Sequence, residues 1–248
     1  MQMVTYGKEN LRVVIFLHGG GLAPWSCREV AERLKDDFYV VVPVLDGHSG
    51  SGREFISIER SACALIQFID QHFGGQVFFI GGLSLGGQIL IEMLSQRKDI
   101  CRFAFIESAL ALPMRVTSAL IKPAFSLSYP LIRRRWFAKL QYKAMHIKPQ
   151  FFEEYFKDSA AIRKEDMIRF LQANAHYRLK PALSDCMAKM LVTAGSREKT
   201  IIKKSAAMIH RAIAGSALEV IQGYSHGDLS INHPEEYVRR LRRLIAEN

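Results

Sequence analysis

The chain has 248 residues, of which 49% are hydrophobic and 10% aromatic, enough for a large core and too much for a disordered protein. Its net charge of +10 is uneven: residues 109–182 hold 14 Lys and Arg against 5 Asp and Glu, and the remainder 20 against 19. No stretch approaches the ~20 apolar residues of a membrane span, Met1 to Lys8 lack a basic-then-apolar leader, and no nucleic-acid motif accompanies the basic charge.

Apolar runs that read as strands alternate with helical patterns. The runs are Val13–Leu17, Tyr39–Val44, Val77–Ile80, Phe103–Ile106, Met190–Thr193 and Leu218–Ile221. Near-continuous hydrophobicity predicts strands covered on both faces, and the alternation predicts a parallel sheet with crossover helices. Glu29–Lys35, Ile58–His72, Gln88–Arg97 and Lys203–Ala214 read as those helices. A last one is expected from Pro234, with Tyr237, Val238, Leu241, Leu244 and Ile245 on one face and its arginines largely outside it.

The rhythm breaks between Ala109 and Ala182, where helical patterns such as Gln150–Lys157 and Asp166–Ala175 are punctuated by Pro113, Pro123, Pro130 and Pro149. Residues 1–108 and 183–248 are therefore expected to form one α/β core, with 109–182 as a helical insertion. Cys27, Cys63, Cys101 and Cys186 stand singly, without metal-ligand spacing, and read as buried free thiols of a cytoplasmic protein.

The most informative stretch is Gly82-Leu83-Ser84-Leu85-Gly86, set between an apolar strand and a helix. Glycines two residues before and two after a serine relieve the collisions of a sharp strand-to-helix turn, which is how a nucleophile is held exposed. The following helix brings free N–H groups and the positive end of its dipole to the reacting oxygen. The spacing is weak alone, so its context carries the argument.

Three features supply that context. His18-Gly19-Gly20-Gly21 follows the first strong strand, where glycines can aim free N–H groups at a developing oxyanion. No GKS/T or GxGxxG spacing accompanies it, which argues against nucleotide binding. His226, in Gly223-Tyr224-Ser225-His226-Gly227, sits in a short loop after a strand and is the favoured base for Ser84 among eight histidines. His48, in Asp46-Gly47-His48-Ser49-Gly50, is its main competitor, and His146 and His176 fall in the insertion. Glu198 follows the strand that ends at Ala194 and is the favoured acid, with Glu107, Asp46, Asp185 and Asp228 as alternatives.

Taken in order, the His18-Gly19-Gly20 loop, the Asp46-Gly47-His48 loop, the Ser84 turn, the Gly195–Glu198 turn and the His226 loop resemble the α/β-hydrolase superfamily. The resemblance implies a mostly parallel, doubly wound sheet, a shortened leading strand near Gln2–Tyr6, and a helical cap in the position of the insertion. It also implies Ser84 as nucleophile, His226 as base, Glu198 as acid, and the main-chain N–H groups of Leu85 and Gly20 as the oxyanion hole, with Gly21 an alternative to Gly20. Glu in place of the usual Asp is a departure.

The implied reaction is hydrolysis of a small or medium acyl ester through an acyl-enzyme, with no metal or organic cofactor. Lysophospholipase, thioesterase, C–C hydrolase and a non-catalytic ligand binder are the alternatives. The apolar Pro113–Leu131 segment followed by Arg133-Arg134-Arg135 raises the narrower hypothesis of an anionic or lipid-like substrate, or contact with a lipid surface.

Overall fold

Odd and even residues of the central strands enter different cores. Val14 and Phe16 join Phe79, Phe103 and Phe105 on one face of a sheet, while Ile15, Leu17, Ile80, Ala104 and Ile106 pack on the other. With both faces dry, no polar alternation survives, and each fully buried Phe or Leu contributes about 1.5–3 kcal/mol. The structure, a computed structural model, describes residues 1–247.

In chain order the core begins with β1 (Met3–Tyr6), β2 (Val13–Leu17), α1 (Arg28–Leu34), β3 (Tyr39–Pro43), α2 (Ile58–Phe73), β4 (Val77–Leu83), α3 (Leu85–Gln96) and β5 (Cys101–Glu107). Between β5 and the next strand lie only helices: α4 (Arg115–Ile132), α5 (Arg135–Ala144), α6 (Phe152–Ala161) and α7 (Lys164–His176), with short 3-10 turns. The core resumes with β6 (Lys189–Gly195), α8 (Thr200–Ala212), β7 (Ala217–Ile221), α9 (Asp228–Asn232) and α10 (Pro234–Ala246). Among the described residues no helix is long and apolar enough to cross a membrane.

The seven strands are ordered β1-β3-β2-β4-β5-β6-β7, with β1 antiparallel to β3 and every other pair parallel. The parallel sheet expected from the apolar runs is present, mostly parallel and doubly wound as the resemblance implies. Helices α1 and α10 cover one face, and α2, α3 and α8 the other. The chain moves outward from β2 to β3 and then returns past β2 to β4. Loops leaving the carboxyl ends of β2 and β4 therefore diverge, and a crevice opens where they part.

Two local expectations change. Pro123 and Pro130 do not interrupt the insertion but lie inside α4. Both are exposed, so water can satisfy the carbonyls that each proline leaves without a donor. The four cysteines are unpaired, but only Cys101 is buried; Cys27, Cys63 and Cys186 are half-buried.

The strand-to-helix turn after β4 depends on two glycines. A Cβ on Gly82 would lie 2.5 Å from the Gly86 carbonyl oxygen, and one on Gly86 would lie 2.2 Å from that of Leu17. No backbone atom there can retreat without displacing β2 or α3. Gly86→Ala should therefore lower stability by about 3 kcal/mol, the upper end of over-packing costs, seen as a fall in the urea midpoint at unchanged slope.

Glu107 ends β5 in full burial, and its Oε1 accepts the Leu229 and Ser230 N–H groups at 3.1 and 3.3 Å, holding the first turn of α9. Burial pushes its carboxyl up from 4.5 to about 7, against the opposing effect of its hydrogen bonds to Ser230. The folded chain thus keeps a proton there that the unfolded chain releases, so stability is full below about pH 4.5 and falls as pH rises towards 7. Glu107→Gln should remove this slope: between those limits the wild type should lose about 3 kcal/mol relative to the variant in urea titrations.

Candidate active site

Ser84 occupies the turn with φ 54° and ψ −111°, a left-hand region that costs a residue with a Cβ about 1–3 kcal/mol. Backbone bonds hold it there: its N–H donates to the Glu107 carbonyl at 2.8 Å and its carbonyl accepts from Gln88 N–H at 3.0 Å. Helix α3 starts at the next residue. The Leu85 N–H therefore belongs to the first helical turn, where backbone donors lack intrahelical partners.

His226 and Glu198 come together from the loops after β7 and β6. Gly195 makes this possible, since a Cβ on it would sit 2.1 Å from the Tyr224 carbonyl oxygen. The Arg197 N–H donates to that same oxygen at 3.0 Å, and Ser196 N–H to Ile221 at 2.9 Å. With the loops laced together, His226 Nδ1 lies 2.7 Å from Glu198 Oε2. Nδ1 carries the proton, which leaves Nε2 as the free base.

Glu198 is almost completely buried, and its other oxygen, Oε1, accepts from the Gly195 N–H at 2.8 Å and the Ser108 hydroxyl at 2.6 Å. Burial pushes its pKa up, but the hydrogen bond and charge of His226, with the Ser108 and Gly195 donors, hold the carboxyl below its ordinary value. Three donors thus fix the carboxylate that faces the imidazole. Ser108 was not anticipated from sequence, because nothing in Glu107-Ser108-Ala109 marks a hydroxyl that meets a residue 90 positions away.

The glycine loop after β2 rests on two neutral histidines. His18 Nδ1 donates to the Gly19 carbonyl at 3.0 Å, and its Nε2 accepts from Leu45 N–H at 3.3 Å. His48 Nδ1 donates to the Asp46 carbonyl at 3.0 Å, and its Nε2 accepts from Gly21 N–H at 3.0 Å. Burial lowers His18 to about 3, aided by its neighbour His48, and lowers His48 to about 4. His48 is stacked on Phe170 of α7 and has no nitrogen left to serve as a base. Its bond engages Gly21, whereas the Gly20 N–H makes no hydrogen bond among the described residues. A Cβ on Gly20 would lie 3.4 Å from Leu85 Cδ2, so the Leu85 side chain packs against Gly20.

The remaining acid candidates lie elsewhere. Glu107 is occupied by α9, Asp46 pairs with Arg53 and Ser61, and Asp228 accepts from Ser225 N–H at 2.6 Å. Asp185 ends an exposed 3-10 turn.

Ser84, His226, Glu198 and Gly20 all line one cavity of about 560 Å³. Its walls are largely apolar: Leu22 and Leu83 come from the core, Met114, Met145 and Ile147 from the helical segment, and Ile201 and Ile202 from α8. His146 also reaches it, while His176 instead pairs with Ser118. The root of the helical segment is tied to α3 by Gln88, which is fully buried. Gln88 Nε2 donates to the carbonyls of Leu110 at 2.8 Å and Asn174 at 3.0 Å, and Asn174 Nδ2 donates to Gln88 Oε1 at 2.8 Å.

Residues 14–240 match the model of the alpha/beta hydrolase family, and the chain belongs to that family. It is 29% identical over 107 residues to a thermostable monoacylglycerol lipase of Bacillus sp. (strain H-257), a match covering 40% of this chain and 42% of that protein. A thermophilic esterase from Thermogutta terrifontis superimposes with a TM-score of 0.77 at 21% identity, covering 99% of this chain and 93% of that one. A bromoperoxidase from Bacillus anthracis superimposes at 0.84 with 17% identity, covering 98% and 94%. At these identities the likeness of the solved structures is one of fold.

Proposed function

We infer that this member of the alpha/beta hydrolase family is a serine ester hydrolase with Ser84 as nucleophile, His226 as base and Glu198 as acid. One observation carries the reading. Ser84, in a strained turn at a helix N-terminus, shares an apolar cavity with a histidine whose Nδ1 is bonded to a buried carboxylate. Esterase- and lipase-named relatives support a hydrolase and a small acyl-ester substrate.

In this reading Nε2 of His226 takes the serine proton as Oγ attacks the ester carbonyl. Glu198 stabilises the imidazolium and keeps the ring from rotating. The developing oxyanion meets the N–H groups of Leu85 and Gly20, and losing one such donor typically costs about 100- to 1,000-fold. The alcohol leaves with the proton from His226, and water, activated in the same way, releases the acid. The fixed position of Gly21, held by His48, favours Gly20 over Gly21 as the second donor.

The cavity accommodates a small or medium acyl chain among Leu22, Leu83, Ile201 and Ile202. An anionic ester or thioester is the narrower reading, and a specific feature favours it. Arg197 and Lys199 flank Glu198, line the cavity and have no ion pair among the described residues.

A fluorophosphonate should add once to the wild type, not at all to Ser84→Ala, and about 100-fold or more slowly to His226→Ala. Intact-mass spectrometry reads all three, and a folded wild type that takes no adduct would overturn the reading. Ser108→Ala should slow p-nitrophenyl ester turnover about tenfold, the equivalent of one hydrogen bond of about 1.4 kcal/mol. The acidic limb of its pH–rate profile should move upward. A carboxylate short of one donor is more basic and holds the imidazolium proton more tightly; an unmoved limb would reduce Ser108 to packing.

A further inference from the structure

Residues 108–152 contain eight Lys and Arg and not one Asp or Glu. Arg135 pairs with Glu153 and Lys148 with Glu29. The other six, Arg115, Lys122, Arg133, Arg134, Lys139 and Lys143, have no ion pair among the described residues. This concentration of uncompensated positive charge covers α4 and α5.

The same two helices carry an unusual share of exposed apolar surface. Of the eleven large hydrophobic side chains exposed in the described residues, six lie on them: Val116, Leu120, Leu127, Leu131, Trp136 and Leu140. Single exposed apolar residues are ordinary. Here they are in register. Val116, Leu120, Pro123, Leu127 and Leu131 recur every three or four residues, which places them in one stripe along α4. The opposite side of α4 is already used, with Ile121 packed against Ile168 and Ala175 of α7 and Ser118 and Ile132 buried. Helix α4 is thus apolar on two faces, and the outer one is open to solvent over most of its length. Leu127 is 85% exposed, Val116 76% and Trp136 62%.

Charge decides what covers that face. A second copy meeting it through two-fold symmetry would bring the same six cations together, an arrangement that like-charge repulsion opposes. A bilayer containing anionic lipid offers the complement: an apolar layer for Leu127 and Trp136 under a negative layer for the flanking Lys and Arg. We propose that α4 and α5 form a docking surface for an anionic lipid bilayer. The surface adjoins the cavity, since Met114 immediately precedes α4, and Ala144 to Ile147 at the end of α5 line the chamber that holds Ser84. Docking needs only this face and is independent of the reaction inferred for Ser84.

The test is co-sedimentation of the intact protein with phosphatidylcholine vesicles, with and without phosphatidylglycerol, at low and high salt. Binding should be about tenfold or more stronger to the anionic vesicles and should weaken with salt. Leu120→Asp/Leu127→Asp and, separately, Arg133→Glu/Lys139→Glu should each weaken it about tenfold or more. Met187→Asp, an exposed apolar position outside both helices, should leave it unchanged. All the substituted side chains are exposed, and unaltered circular dichroism and melting temperature confirm that each variant is folded. Equal partition to both vesicle types, or indifference to both double variants, overturns the proposal. So does a dimer in light scattering that Leu120→Asp/Leu127→Asp dissolves, which would assign the face to a second copy.

Discussion

The close approach of α3 to the end of β2 is the constraint on which the candidate site depends. Where Gly86 has no side chain, one would meet the carbonyl oxygens of Leu17 and His18 at 2.2 and 2.6 Å. That contact seats the first turn of α3 beside the glycine loop. It brings Leu85 against Gly20, directly after the Ser84 turn. One backbone-to-backbone contact thereby sets Ser84, Leu85 and Gly20 in relation to each other.

Burial acts on the neighbouring ionisable groups in opposite ways according to what each is bonded to. His18 and His48 meet carbonyls and amides, so the neutral form is kept and each serves as a fixed bracket between loops. Glu107 meets only two amides at one oxygen, while its other oxygen has no partner, and its charge is disfavoured. Glu198 receives three donors, one of them an imidazole, and its carboxyl is held below its ordinary value although it too is buried. Two glutamates near adjacent strand ends are thus shifted in opposite directions from the ordinary carboxylate value. The number and kind of donors, added to the deeper burial of Glu107, account for the difference.

Most of the framework was legible in the sequence because its signals are local. Strands buried on both faces announce themselves as apolar runs, and the serine turn announces itself through glycine spacing. The pairing of Glu198 with His226 was harder to read. Five carboxylates stood in plausible loops, and what separates Glu198 from Asp46 or Glu107 is the approach of Gly195 to Tyr224, a tertiary fact. Ser108 was beyond reach for the same reason. Pro123 and Pro130 misled because a proline removes a donor wherever it stands, but the loss is harmless on a face wetted by solvent. His48, weighed as a base, turns out to have both nitrogens engaged.

Gln88 lies one helical turn beyond Ser84 and clasps both the outgoing and the returning chain of the helical segment. To swing that segment as a rigid body about its root, three hydrogen bonds would have to break where no water can replace them. The root therefore belongs to the same cooperative unit as the elbow and opens only with the whole domain. Among the described residues α4 and α5 make no such side-chain hydrogen bond to α3 and are held by apolar packing instead. Breathing at the periphery is thereby uncoupled from the geometry at the nucleophile.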